Sequence, residues 1–380
     1  MASDMLAPVI PGISPLRCLL VAVCWFGSGF VLGAENSKLA FPGTEWERVK
    51  PEIVGHSSEK LEVLRSWLKT QETTAMHVSV RGRVVFEYGD TRRVSKIASV
   101  RKSILAMLFG NYYAEGKVDL NRTVEQLGLK DVQPFLPIEK GATLQHLLTA
   151  RSGIYLPTAN EELTALSPRR GTQAPGTYFQ YQNWDFNAAG TAFENLSGKD
   201  IFVALEEDLA KPIGMQDFDR SRQRKNNEMP MTRHPEYAMY LSTRDMARLG
   251  MLMLADGRWR DRQVMPTGWA DRITTLVTHP EDLHPMSVGA YRTQIGRWGY
   301  GMLWWVWDAP VWPGTLTGPY QGAYTAIGAN GQYITVLPAM GVVLAHKVDF
   351  DEDGSRRISP SEFHAILQIV IESSCSGECK

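Results

Sequence analysis

The chain has 380 residues, 44% of them hydrophobic and 21% charged, an ordinary globular balance with length for two domains or one large one. With 40 basic and 41 acidic residues the net charge is −1, which excludes the basic footprint of a nucleic-acid-binding protein. No internal repeat or low-complexity run divides the sequence.

The first element has the basic, apolar, small-residue order of an export signal. Arg17 precedes the apolar run Cys18–Phe26, small residues lead to Ala34, and the chain then turns polar at Glu35-Asn36-Ser37-Lys38. Residues 1–34 therefore read as a secretory signal or, because the apolar run is long, as an uncleaved membrane anchor. A lipid-modified Cys24 is disfavoured by bulky Val23 where a small residue is expected. No other segment is apolar enough to span a membrane. Cys18 and Cys24 would leave with a cleaved signal. Cys375 and Cys379 would remain, either paired in an oxidising compartment or as free thiols at the tail.

After a capped helix within residues 40–70, Met76–Val80 and Val84–Tyr88 alternate as the strands of a hairpin joined by Arg81-Gly82-Arg83. A strongly apolar helix opens at Ser99, with Ile104, Leu105, Leu108, Phe109 and Tyr112 at helical spacing, and closes at Gly116. Residues 117–260 are mostly helical in pattern, with helices predicted at Thr143–Leu148, Asn183–Leu196 and Thr243–Asp256. Strands return at Tyr300–Trp307, then at Gln332–Leu337 and Val342–His346 as a hairpin, and Ser361–Glu372 is an amphipathic helix. The order predicts an α/β (α+β) protein: an antiparallel sheet flanked by helices, built from both chain ends (35–98 plus 262–380), with an inserted, mostly helical domain (99–261).

Three segments carry candidate chemistry. In Ser99-Val100-Arg101-Lys102, residues three apart share a helix face, so a hydroxyl and an amine can meet. A buried lysine there would serve as a base. A second copy of the spacing, Ser57-Ser58-Glu59-Lys60, reads instead as the N-cap of a surface helix. In the second segment a Pro175-Gly176 turn leads to Tyr181 and Asn183, two residues apart and able to face one spot. A phenol beside a lysine can act as general base, and an asparagine can hold a substrate amide. In the third, Ala326-Ile327-Gly328-Ala329, a glycine next to an edge strand lets a substrate approach the backbone.

Other patterns are weaker. Asp349, Asp351, Asp353 and Gly354 imitate the start of a calcium loop, but Pro360 occupies the twelfth position, so the segment reads as a solvated acidic loop. No H-E-x-x-H, P-loop or G-x-S-x-G motif is present, and the eight histidines are scattered. Of Trp304, Trp305, Trp307 and Trp312, about half are expected in the core and the rest around a pocket.

Taken together and in this order, the three segments resemble the serine beta-lactamase and penicillin-binding-protein superfamily. The likeness is to its class C-like branch, which includes esterases and 6-aminohexanoate-oligomer hydrolases. It spans roughly residues 60 to 372 and is supported by Leu147–Gly153 and Leu241–Gly250. The resemblance implies Ser99 as nucleophile, with Lys102 and Tyr181 sharing the proton transfers. It also implies an oxyanion hole from the backbone N–H groups of Ser99 and Ala329. Asn183, Trp184, Gly328 and Ala329 would bind substrate, and no cofactor would be needed. One departure matters. Ala326 and Ile327 stand where the superfamily's beta-lactamases and peptidases carry a cation and a hydroxyl, so a small ester or amide without a gripped carboxylate is expected. The rival expectation is a penicillin- or peptidoglycan-binding protein that does not hydrolyse. Neither reading has a nucleic-acid partner, and membrane contact would require an uncleaved residue 1–34 segment.

Overall fold

The computed structural model describes residues 38–159, 167–227, 231–284, 298–308, 318–350 and 356–375. The expectations for residues 1–34, Trp312, Asp351, Asp353, Gly354 and Cys379 lie outside them.

Seven strands form the main sheet: β1 (Ala75–Val80), β2 (Arg83–Gly89), β3 (Trp298–Tyr300), β4 (Trp305–Trp307), β5 (Tyr324–Gly328), β6 (Gln332–Leu337) and β7 (Val342–Lys347). Their order is β2-β1-β7-β6-β5-β4-β3, and every neighbouring pair is antiparallel. The β1–β7 pair, with Ala75 opposite Lys347 and Val80 opposite Val342, joins the two ends of the chain. Every residue of β1, β5, β6 and β7 is buried, because helices cover both faces of the sheet.

Side chains on a strand alternate between faces, and β6 shows what covers each. On one side Ile334 and Val336, with Val343 of β7, meet α5 (Thr243–Leu254) at Gly250. On the other side Tyr333 stacks on Phe363 of α6 (Pro360–Glu372), with ring centroids 3.5 Å apart, and α6 packs on α1 (Ser58–Leu68). Beyond the sheet lie α2 (Val100–Ala114), α3 (Leu144–Leu148) and α4 (Asn183–Ser197). In α2 every residue from Val100 to Gly110 is buried, the pattern of a helix running through a core.

Two differences from the sequence reading have physical causes. The apolar stretch Tyr300–Trp307 is not one strand but the two arms of a hairpin, β3 and β4. Its tip is held by tertiary hydrogen bonds: the Met302 N–H donates to the Ile273 carbonyl and the Leu303 N–H to the Leu148 carbonyl, both at 2.9 Å, and Leu303 takes φ 60°. Aromatic patterning gives no sign of such a turn. The helix Thr243–Leu254, assigned by sequence order to the inserted half, lies on the sheet instead. From Lys38 onward the chain packs as a single compact unit.

The α5–sheet contact is close-packed at Gly250, where an added Cβ would stand 2.5 Å from Val343 Cγ1 and 3.0 Å from Ile334 Cγ2. Gly250→Val should therefore lower stability by about 1–3 kcal/mol, read as a reduced melting temperature. A melting temperature equal to the parent's would show that α5 can slide off the sheet freely.

Candidate active site

The two S-x-x-K segments are locally alike and behave differently. Ser57 Oγ accepts the Lys60 backbone N–H at 3.4 Å and caps α1, while Lys60 Nζ reaches the Glu372 carbonyl at 2.5 Å on the surface. Ser99 precedes α2 but its side chain makes no capping bond. Ala98 sits before it at φ 46°, the left-handed region that side chains avoid, where such strain costs on the order of 1 kcal/mol or more. The Ile97 N–H is anchored on the Met239 carbonyl at 3.0 Å, so this bend is held from outside the helix. Ser99 Oγ is thus released from local duty and kept at the mouth of α2.

Lys102, one turn on, is 2% exposed. Its ammonium cannot reach water without leaving the core, and a buried charge needs polar partners. Two of them are among the described residues: Nζ donates to Ser99 Oγ at 2.9 Å and to Tyr181 Oη at 2.9 Å. The same Nζ lies 4.4 Å from the ring centroids of Tyr181 and Phe186, where aromatic faces also attract a cation. Two segments distant in sequence therefore place a hydroxyl, an amine and a phenol in contact.

Tyr181 arrives on an extended stretch just before α4. Its N–H donates to the His284 carbonyl at 2.8 Å, and the Gln180 N–H donates to the Ala150 carbonyl at 2.8 Å. The ring sits among Phe186 (4.9 Å), Trp305 (5.7 Å) and Tyr300 (6.0 Å). Asn183 begins α4, half-buried and two residues beyond Tyr181.

β5 completes the arrangement. β4 pairs only with its first two residues, Tyr324 and Thr325, leaving the edge of Ala326–Gly328 open toward the start of α2. A Cβ on Gly328 would lie 2.6 Å from the Ile97 carbonyl oxygen and 3.2 Å from the Ser99 nitrogen, so only glycine permits this approach. Ala329 follows at an exposed turn, with Asn330 at φ 63° and Gly331 at φ 100°. Behind this turn, His346 Nδ1 bonds the Gly331 carbonyl at 2.7 Å and Nε2 bonds Thr73 Oγ1 at 2.9 Å. Burial lowers the His346 pKa to about 4, so the ring is neutral and donates from Nδ1. Among the described residues neither the Ser99 nor the Ala329 N–H is used in a hydrogen bond. Two backbone donors left free beside a serine hydroxyl can serve an oxygen that gains negative charge.

Trp184 does not belong to this group. It is 0% exposed, its Nε1 donates to Asp131 Oδ2 at 2.6 Å, and its ring packs on Phe135 and His234. A substrate-binding role for it is corrected to a core role: from the first turn of α4 the indole is buried against Asp131, Phe135 and His234. Among the tryptophans, Trp304 is fully buried, Trp305 lies against Tyr181, and Trp307 stacks on Tyr320 at 4.1 Å. The residues that sequence reading missed are those bracing Tyr181: Phe186, Gln182, Asp185 and Ser152. Phe186 and Asp185 follow Tyr181 by about one helical turn, and that spacing was the available signal. Elsewhere His279, Glu281 and Asp308 bring ligand atoms within 4.8 Å of one another. His279 Nδ1 and Asp308 Oδ2 form an ion pair at 2.9 Å.

Comparison with known proteins agrees with this architecture. In sequence, 27% identity over 161 residues relates the chain to the D-alanyl-D-alanine-carboxypeptidase/endopeptidase AmpH of Escherichia coli, covering 36% of this chain and 41% of that protein. The chain thus spans less than half the length of the curated relatives it matches. In structure, it is similar to a Bacillus anthracis protein assigned as a 6-aminohexanoate-dimer hydrolase, with TM-score 0.61, 18% identity, and 89% and 88% of the two chains covered. A Mycobacterium bovis beta-lactamase gives 0.54 at 21% identity over 83% and 96%, and a family VIII carboxylesterase gives 0.57 at 15% identity over 83% and 96%. These likenesses show the fold. The Beta-lactamase family profile matches residues 69–355, which include Ser99, Lys102, Tyr181 and Gly328, and the chain belongs to the Beta-lactamase family.

Proposed function

We propose that this protein is an exported serine hydrolase that cleaves a small ester or amide through an acyl-Ser99 intermediate. The observation that carries the proposal is Lys102 Nζ at 2.9 Å from both Ser99 Oγ and Tyr181 Oη. Ser99 Oγ attacks the carbonyl carbon while its proton passes to the Lys102–Tyr181 pair. The Lys102 charge favours the proton-accepting form of the phenol. The negative oxygen of the tetrahedral intermediate is taken by the Ser99 and Ala329 N–H groups. The pair then gives the proton to the leaving alcohol or amine, and the carbon–leaving-group bond breaks. Water, deprotonated by the same pair, releases the acid and restores Ser99.

The substrate class follows from what borders the nucleophile. Ala326 and Ile327 are apolar and buried in β5, so no side chain there offers a charge to a substrate carboxylate. An uncharged acyl group fits this edge better than a beta-lactam or a D-alanyl peptide. The names of the structural neighbours, an amide-dimer hydrolase and a carboxylesterase among them, support the reading. Export is supported by the residue 1–34 pattern and by Cys375, which is disulfide-bonded to a partner outside the described residues. No helix among the described residues is long and apolar enough to cross a membrane.

Ser99→Ala should reduce p-nitrophenyl butyrate turnover to background with the melting temperature preserved. Undiminished turnover in that variant would reject the proposal. Tyr181→Phe should lower kcat by about 10²–10⁴-fold, the usual worth of a positioned acid–base group. Gly328→Ala forces β5 away from Ser99 and should cost about 10²-fold in kcat, comparable to losing one oxyanion donor. Intact-mass spectrometry with an activated ester separates the rival: a binding protein that does not hydrolyse would hold the acyl group on Ser99 and never release it.

A further inference from the structure

Asp185 is a buried acid beside this site, and the mechanism above makes no use of it. It lies in the first turn of α4 and is 0% exposed. Its Oδ1 accepts from Ser152 Oγ at 2.5 Å and from Gln182 Nε2 at 3.3 Å, and its Oδ2 accepts from the Ser152 N–H at 3.4 Å. Both partners are strategic. Gln182 is the residue between Tyr181 and Asn183, is itself buried, and is tied on its other side to the Ile154 carbonyl at 2.5 Å. Ser152 follows Ala150, whose carbonyl holds the Gln180 N–H, and Arg151, whose carbonyl holds the Gly176 N–H at 2.8 Å. One carboxyl group therefore locks the extended Gly176–Gln182 stretch to the 150–154 segment immediately behind the proposed base.

The groups facing this carboxyl are uncharged. From the 150–156 segment comes Tyr155, whose buried hydroxyl has no hydrogen-bond partner among the described residues, and from β3 comes Tyr300. From its own stretch comes Gln182. The basic side chain nearest in sequence, Arg151, is engaged elsewhere, by the Gly176 carbonyl at 3.0 Å and Thr278 Oγ1 at 2.9 Å. Among the described residues a carboxylate at this point has no counter-ion, and buried anions without one are costly.

Building on the hydrolase reading, we infer that Asp185 is a positioning residue held as the neutral acid, that it fixes Tyr181 and Asn183 through Ser152 and Gln182, and that losing its proton loosens the base and closes the alkaline side of the activity profile. Burial raises the carboxyl pKa to about 8, against the opposing pull of the Ser152 and Gln182 hydrogen bonds, from an ordinary 3.8. Between those values the folded chain binds a proton that the unfolded chain has released. Stability at this position therefore falls as pH rises through the window.

The test compares parent, Asp185→Asn and Asp185→Ala in two independent measurements. In thermal melts from pH 5 to pH 8, the parent's melting temperature should fall relative to that of Asp185→Asn, which has no proton to lose. In kcat/KM profiles with p-nitrophenyl butyrate, Asp185→Asn should keep near-parental kcat at pH 7 and move the alkaline limb upward by about one unit or more. Asp185→Ala should lower kcat by about tenfold with little change in KM, as a displaced base would. Parallel melting curves and superimposable profiles for parent and Asp185→Asn would overturn the inference. So would Asp185→Asn being as slow as Asp185→Ala at pH 7, which would mean that the carboxylate is the working form. Should Asp185→Ala not fold, the parent and Asp185→Asn comparison decides alone. The melts need no catalysis, so a failure of the hydrolase reading, seen as turnover independent of Ser99, is distinguishable from a failure of this one.

Discussion

A lysine ammonium that the fold does not let reach water organises this molecule. Lys102 points inward from a helix whose first eleven residues are all buried, and its charge must be met by oxygen atoms within the core. Ser99 supplies one from a single turn earlier, which local geometry provides at no cost. Another comes from Tyr181, 79 residues on, and what delivers that phenol serves the same requirement. The His284 and Ala150 carbonyls fix its backbone, while Phe186, Trp305 and Tyr300 wall its ring. The pairing that satisfies a buried charge is also the pairing that can move a proton.

The sheet contributes a different constraint, the approach of two backbones. β5 ends against the entrance to α2 because β4 is too short to cover it and because Gly328 has no side chain to hold it off. His346 and Thr73 brace the following turn from the opposite side of the hairpin. The strained Ala98 and the positive φ at Asn330 and Gly331 lie on the two sides of the resulting gap. Strain of that kind persists only where surrounding structure enforces it. Here the enforcement comes from the β5–β6 hairpin and from the Met239 carbonyl that anchors Ile97.

Much of this was legible in the sequence, because the signals are local. Ser57 caps its helix as its spacing implies. The hairpins β1–β2 and β6–β7 announce themselves through alternation and turn residues, and the relation to a known superfamily rests on short ordered motifs. What failed was set by contacts far off in the chain. The Tyr300–Trp307 stretch breaks because Ile273 and Leu148 offer carbonyls to its middle. Trp184 goes to the core because Asp131, 53 residues earlier, takes its indole N–H.

Spacing and composition by themselves determined where the longer helices and most strands lie, that a hydroxyl and an amine share one face of α2, and that Gly328 lies next to a strand. They marked Ser57 as a helix cap, but they could not show what frees Ser99 from the same duty. That difference lies in whether a serine oxygen is used up by its own helix end and whether the lysine is denied water, and both depend on what packs around them. Only the tertiary structure brings Tyr181 to Lys102, seals Asp185 behind it and presses Gly328 against Ser99. Long-range burial decides which polar groups must find each other, and no local window of residues contains it.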